Sequence, residues 1–203
     1  MLLTVTGTSG TACGSRSGAA NPNGALVAEL TGVSPGTALD VGCGEGADAV
    51  WLAQQGWNVT AIDVSAVAVE RSRQHAQAAG VEVAFESLSL LDAAAARRTF
   101  DLVSAQYPSL EKTPGNDAER ALIGAVAPGG LLLVIHHADI DRERALEHGF
   151  DPDDYLAPAD VAALLQEGWQ IEAFERRPRT ISGGGGAHHA LDVVLRARRK
   201  PLV

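Results

Sequence analysis

The sequence predicts an α/β fold: a mainly parallel sheet with helices on both faces. Three observations carry the prediction. Short β-branched runs alternate with helical segments along most of the chain, the pattern of consecutive βαβ units. The last two strands have no helix between them, so they should pair antiparallel. Finally, 203 residues with 46% hydrophobic side chains suffice for one sizeable core.

Residues 1–23 are small, polar and glycine-rich, without helical or strand period, and read as a flexible N-terminal arm ahead of a single domain over 24–203. "ALVAEL" is a short helix, and "TALDVG" is an apolar strand running into a glycine loop. "ADAVWLAQQG" is a helix with Gly56 past its end. "WNVTAIDV" is the second strand, rich in strand-forming residues. Ser65 is a natural N-cap for a helix through Ala79, which Gly80 ends. "VEVAF" and "FDLVSAQ" are the third and fourth strands. Asn116 and Glu119 suggest a capping box for the helix "DAERALIGAVA", stopped by Pro128-Gly129-Gly130. "LLLVIHH" is the fifth strand, followed by a polar stretch from Ala138 to Ala157 and a helix starting near Pro158. "WQIEAFER" and "HALDVVLRA" are the sixth and seventh strands, joined by the loop containing "SGGGG".

A formal charge of -9 argues against a nucleic-acid partner. No apolar run reaches the roughly 20 residues of a membrane helix, and the N-terminus lacks the pattern of a signal peptide. Two cysteines outside any CxxC exclude a disulfide framework. A cytoplasmic, reduced protein is expected.

The stretch "TALDVGCGEGADAVWLA" decides the ligand class. In an open α/β sheet the ligand lies at the carboxyl ends of the strands, so the loop Gly42–Gly46 should face it. Its glycines satisfy the loosest dinucleotide pattern, and on glycines alone the reading is ambiguous. The acids break the tie. Like charges ~4 Å apart repel by about 4 kcal/mol in a surface-like dielectric. A helix N-terminus returns only ~0.3–1 kcal/mol. Asp40 and Glu45 therefore disfavour a pyrophosphate and suit a ligand with an ammonium, a sulfonium and a ribose, such as S-adenosyl-L-methionine. Asp63, at the end of the second strand, is acceptor-only when ionised and can take both ribose hydroxyls.

"LDVGCGEGADAVWLA", "VTAIDVS", "FDLVSAQY" and "APGGLLLVIHH" together resemble the successive motifs of class I S-adenosylmethionine-dependent methyltransferases. Within them, the chain looks most like the small bacterial tellurite-resistance and thiopurine methyltransferase groups. The resemblance spans residues 24–197. It implies a Rossmann-like three-layer sandwich with a seven-stranded sheet in the order 3-2-1-4-5-7-6, strand seven antiparallel. By position, it implies that Asp40, Gly42, Gly44 and Gly46 line the methionine end of the cofactor, with near or backbone contacts from Cys43 and Glu45. Asp63, Val64 and Ser65 would hold the ribose and one adenine edge, and Ser87 and Leu88 the ring. Ser87 stands where the family usually has an aspartate. Ala105, Gln106 and Tyr107 would lie beside the methyl group. "SRSGAANPN" replaces the aromatic-rich segment that closes over the cofactor in relatives.

Four histidines form two pairs, His136-His137 ending strand five and His188-His189 beginning strand seven. If those strands are neighbours, both pairs flank one cleft, with at most one member of each facing the cofactor. Such an imidazole can orient an acceptor or take its proton, and Tyr107 can position it. Satisfied strand-end histidines and a metal site are the other readings, and no metal ligand is assigned. His75 and His148 are expected to face solvent. The segment 138–157 and the loop from Ser182 should rim the acceptor site. The expected activity is methyl transfer to a small-molecule thiol, oxygen, nitrogen or chalcogen oxyanion. A non-catalytic cofactor-binding module and a nicotinamide-dependent oxidoreductase remain the rivals.

Overall fold

The computed structural model describes residues 21–179 and 190–202. The parallel strands are β1 (Thr37–Val41), β2 (Asn58–Asp63), β3 (Ala84–Ser87), β4 (Phe100–Gln106), β5 (Val126–His137) and β6 (Trp169–Pro178), and β7 (Leu191–Arg199) runs the other way. They form one sheet in the order β3-β2-β1-β4-β5-β7-β6. That is the predicted order, with β7 antiparallel to both its neighbours.

The central strands are buried on both faces, as a sheet between two helical layers requires. In β5, Leu131, Leu133 and Ile135 enter one core with α1 (Gly24–Leu30), α2 (Ala47–Gln54) and α3 (Ala66–Ala79). Leu132 and Val134 enter the other, with α4 (Leu90–Ala95), α5 (Asp117–Gly124) and α7 (Pro158–Leu164). The two-residue alternation of β5 thus sorts consecutive side chains into the two layers. At the sheet's edge β6 is exposed, and its face carries charge: Glu172 pairs with Arg196 at 2.6 Å and Arg198 at 2.5 Å on β7.

Helix α3 begins and ends as predicted: the Ser65 hydroxyl accepts from Ala68 N at 3.2 Å, and Gly80 takes a left-handed φ of 69°. Helix α5 departs from expectation. Asn116 is left-handed and makes no side-chain cap bond, while Glu119 is buried. The Thr113 hydroxyl caps instead, accepting from Asp117 N at 3.0 Å. The helix stops at Gly124 rather than at the proline, because Ala125 and Val126 are already engaged with Phe100 of β4. Helices α4 and α6 (Arg142–Glu147) were not foreseen. No helix of the described residues is long and apolar enough to cross a membrane.

Candidate functional site

The carboxyl ends of β1, β2 and β4 meet at the glycine loop. Gly42 N and Cys43 N donate to Ile62 O at 2.9 and 3.0 Å, which ties the loop to β2. Gly46 cannot be anything else: its φ is 84°, and a Cβ there would lie 2.7 Å from Ser72 Cβ. A Cβ at Gly42 or Gly44 would meet nothing within 4 Å, so that side of the loop is an open cradle. Asp63 organises it, accepting from Gly44 N at 2.9 Å and Ser65 N at 2.8 Å.

Three carboxylates crowd this edge. Burial raises the Asp40 carboxyl well above its ordinary range, and the neighbouring Asp48 and Asp63 raise it further. One oxygen of Asp40 is buried without a hydrogen-bond partner. Burial lifts Asp48 to about 6, against a lowering contribution from Asn23 N, which donates to it at 2.6 Å. An orphaned buried carboxylate oxygen beside an open backbone cradle fits a ligand with cationic groups and a diol, as S-adenosylmethionine has. The acids make the pocket hostile to pyrophosphate.

Tyr107, just past β4, has a φ of 52° and separates two cavities. One, of about 280 Å³, is lined by Gly42, Asp63, Val64, Leu88 and Tyr107. The other, of about 480 Å³, is lined by Tyr107, His136, His137, Ile140, Arg144 and Phe150 among others. Ser109 also lines both. The Tyr107 ring stacks on His137 with centroids 4.2 Å apart and meets His136 edge-on at 6.4 Å. Its hydroxyl donates to Asp192 at 3.0 Å, and burial followed by the Asp192 charge pushes it up to about 12. β5 and β7 are neighbours, pairing His137 with Asp192. Both His136 and His137 line the larger cavity, and neither lines the smaller one beside the glycine loop. His188-His189 and the loop from Ser182 lie outside the described residues, as does Cys13.

The remaining predicted residues divide clearly. Val64 is 77% exposed on the cleft wall and Leu88 lines the same cavity. Ser87 pairs with Asp63 across β2 and β3 but does not line the cavity. The Ser65 side chain is committed to capping α3. Ala105 is fully buried, so its side chain has no surface to offer. Gln106 has both amide ends engaged, accepting from Asn23 Nδ2 at 3.1 Å and donating to Ser104 Oγ at 2.8 Å. The Glu45 carboxylate pairs with Arg71 of α3 at 2.7 Å, so Asp40, Asp48 and Asp63 supply the repulsion that Glu45 was expected to share. The Cys43 thiol is raised by burial, then by Asp40 and Asp63, which makes it a poor nucleophile. His75 is partly exposed, with its Nδ1 2.8 Å from Glu45 O. Asp192 and Asn23 were missed; an acid inside the apolar strand "LDVVL" was the available signal for the first. Among the described residues no group of three or more His, Cys, Asp or Glu suits a metal ion.

A family model described as "Methyltransferase domain" matches residues 38–130. The ribosomal RNA small subunit methyltransferase C of Alcanivorax borkumensis is 31% identical over 121 residues, covering 57% of this chain and 37% of that protein. The ubiquinone biosynthesis O-methyltransferase of Xanthomonas axonopodis pv. citri is 32% identical over 150 residues, covering 66% of this chain and 62% of that one. The chain therefore spans less than two thirds of the length of these relatives. A structure described under "Conversion of a Disulfide Bond into a Thioacetal Group during Echinomycin Biosynthesis" is 30% identical with a TM-score of 0.68, covering 89% of this chain and 83% of that one.

Proposed function

The chain belongs to the class I S-adenosylmethionine-dependent methyltransferases, and from that premise we propose that it methylates a small organic molecule held in the cavity behind Tyr107. The observation that carries the reading is the pair of cavities sharing Tyr107 and Ser109 as a common wall. A cavity of about 480 Å³ lies in the range of organic-ligand sites, roughly 300–1,000 Å³, and is far roomier than a compact chalcogen oxyanion needs.

In this reading Asp40, Gly42, Gly44 and Gly46, with the backbone at Cys43 and Glu45, hold the methionyl end of S-adenosylmethionine. Asp63 holds the ribose, Val64 and Leu88 flank the adenine with the backbone at Ser65 and Ser87 beside it, and Tyr107 forms the floor next to the methyl group, backed by Gln106 and the buried Ala105. The cofactor supplies an activated methyl group on a sulfonium. The chain's own contribution is alignment of the acceptor, worth several kcal/mol of barrier, and removal of its proton where it has one. His136 is the proton acceptor: it lines the acceptor cavity, whereas the Tyr107 hydroxyl is tied to Asp192. A sulfur acceptor comes first, because the relative at 30% identity is described by conversion of a disulfide, and an oxygen acceptor second, after the O-methyltransferase relative. We place the reaction in the cytoplasm, where Cys43, a free thiol, stays reduced. We also take residues 24–203 as one methyltransferase domain behind an arm over 1–23, since strands from Thr37 to Arg199 join one sheet.

A second reading is an RNA acceptor, favoured by the ribosomal RNA methyltransferase relative. The formal charge of -9 opposes it, since phosphate binding draws on clustered cations. Release of S-adenosylhomocysteine, measured with organic thiols and disulfides, catechols and ribosomal RNA side by side, decides between them. Turnover of an organic member alone supports the proposal. Turnover of RNA alone sinks it, and cofactor binding with no turnover at all favours a binding module.

A further inference from the structure

We infer that Asp192 is a positioning residue for the acceptor side of the site: it fixes Tyr107 as a rigid partition between the two cavities and orients His137. The inference rests on the reading of the larger cavity as the acceptor's.

Asp192 lies on β7 directly across from His137 of β5, and it is 2% exposed. Three groups from three different segments converge on its carboxylate. The Tyr107 hydroxyl donates to Oδ2 at 3.0 Å, His137 Nδ1 stands 3.5 Å from Oδ1, and Arg179 Nε stands 4.0 Å from Oδ2. The Arg179 guanidinium also lies 5.0 Å from the Tyr107 ring centroid. The phenol is therefore held at its hydroxyl and across its ring, by Asp192, His137 and Arg179. That restraint adds to the backbone hydrogen bond from Tyr107 N to Ile135 O at 2.8 Å. Tyr107 is a bulky residue in left-handed conformation, a strained state that persists only where the surroundings over-determine it. A tyrosine so held cannot swing to accept a proton, but it can keep a constant wall against which methyl donor and acceptor are aligned. The carboxylate facing His137 Nδ1 favours a proton on that nitrogen, which sets the ring's orientation. The Glu29–Arg177 pair borders the small cavity that Asp192 shares with α1, and Arg196 also pairs with Glu29 at 3.5 Å.

The chain has two tyrosines, so Tyr155→Phe leaves Tyr107 as the single phenol. Its ionisation is read by near-ultraviolet absorbance within milliseconds of an alkaline pH jump, before unfolding. The midpoint should lie near 12 in Tyr155→Phe and fall toward the ordinary 10 when Asp192→Asn is added. Asp192→Glu should keep it high. S-adenosylmethionine affinity, measured by calorimetry, should change less than threefold in Asp192→Asn. A midpoint near 10 in Tyr155→Phe itself overturns the assignment without any change at Asp192. A midpoint that Asp192→Asn leaves in place, or a tenfold loss of cofactor affinity, overturns it too. None of these readouts needs a methyl acceptor, so failure of the acceptor screen contradicts the proposed function and is told apart from failure here.

Discussion

Asp40 and Asp48 hold carboxyl groups where a folded protein gains nothing from them, because both are pushed toward the neutral form by burial. The sign of the consequence follows from proton counting. A carboxyl raised in the folded state binds more protons there than in the unfolded chain, so its burden is absent below about pH 4 and grows as pH rises to about 6. Asp48→Asn keeps an acceptor for Asn23 N and removes the charge. It should raise the melting temperature at pH 7.5 by roughly 4–8 °C, about 2 kcal/mol in a chain of this size, and leave it unchanged at pH 4; equal shifts at both pH values would contradict the electrostatic origin. Gly46→Ala should cost about 1–3 kcal/mol of stability in urea titration, from positive φ together with contact on Ser72. At this scale the sequence showed the acids and glycines but not their partners. Glu45 and Asp40 look alike in the string, yet Arg71 of α3, 26 residues from Glu45, neutralises one of them. Such pairings depend on the fold.

Elements with strong local signals were legible. Helix α3 carries its cap residue, its stop glycine and 14 residues of length, and Ser65→Ala should destabilise the chain by about 1 kcal/mol in the same titration. An effect below a few tenths would mean the cap bond is not formed. Helices α4 and α6 have six residues each, too short to establish a helical period, and α4 hides in an alanine run that reads as low complexity. The end of α5 was misplaced because strand pairing with Phe100, a tertiary event, ended it before the proline did. His136 gives the element-scale prediction for function. With a phenolic acceptor His136→Ala should lower kcat by about 10²–10⁴-fold, and with an ionised thiol by less than tenfold. Equal losses with both acceptors would remove His136 from proton transfer.

Across the whole molecule, the sheet order places the glycine loop, the Tyr107 partition and the histidine pair along one edge, and the acid cluster makes that edge cation-seeking. The strand order was legible only through the family resemblance, whereas the antiparallel seventh strand follows from a missing helix. The position of Asp192 became visible only when β7 was laid against β5. The central claim is that this edge binds S-adenosylmethionine through carboxylates that must be ionised. Calorimetry of the full chain with S-adenosylmethionine at pH 5.5 and 8, in buffers of different ionisation enthalpy, tests it most directly. Binding at pH 8 should have a Kd on the order of 1–100 μM, binding at pH 5.5 should be at least several-fold weaker with protons released to the buffer, and Asp40→Asn should lose most affinity. Affinity independent of pH with no proton release, or binding of NADH in preference to S-adenosylmethionine, would contradict it.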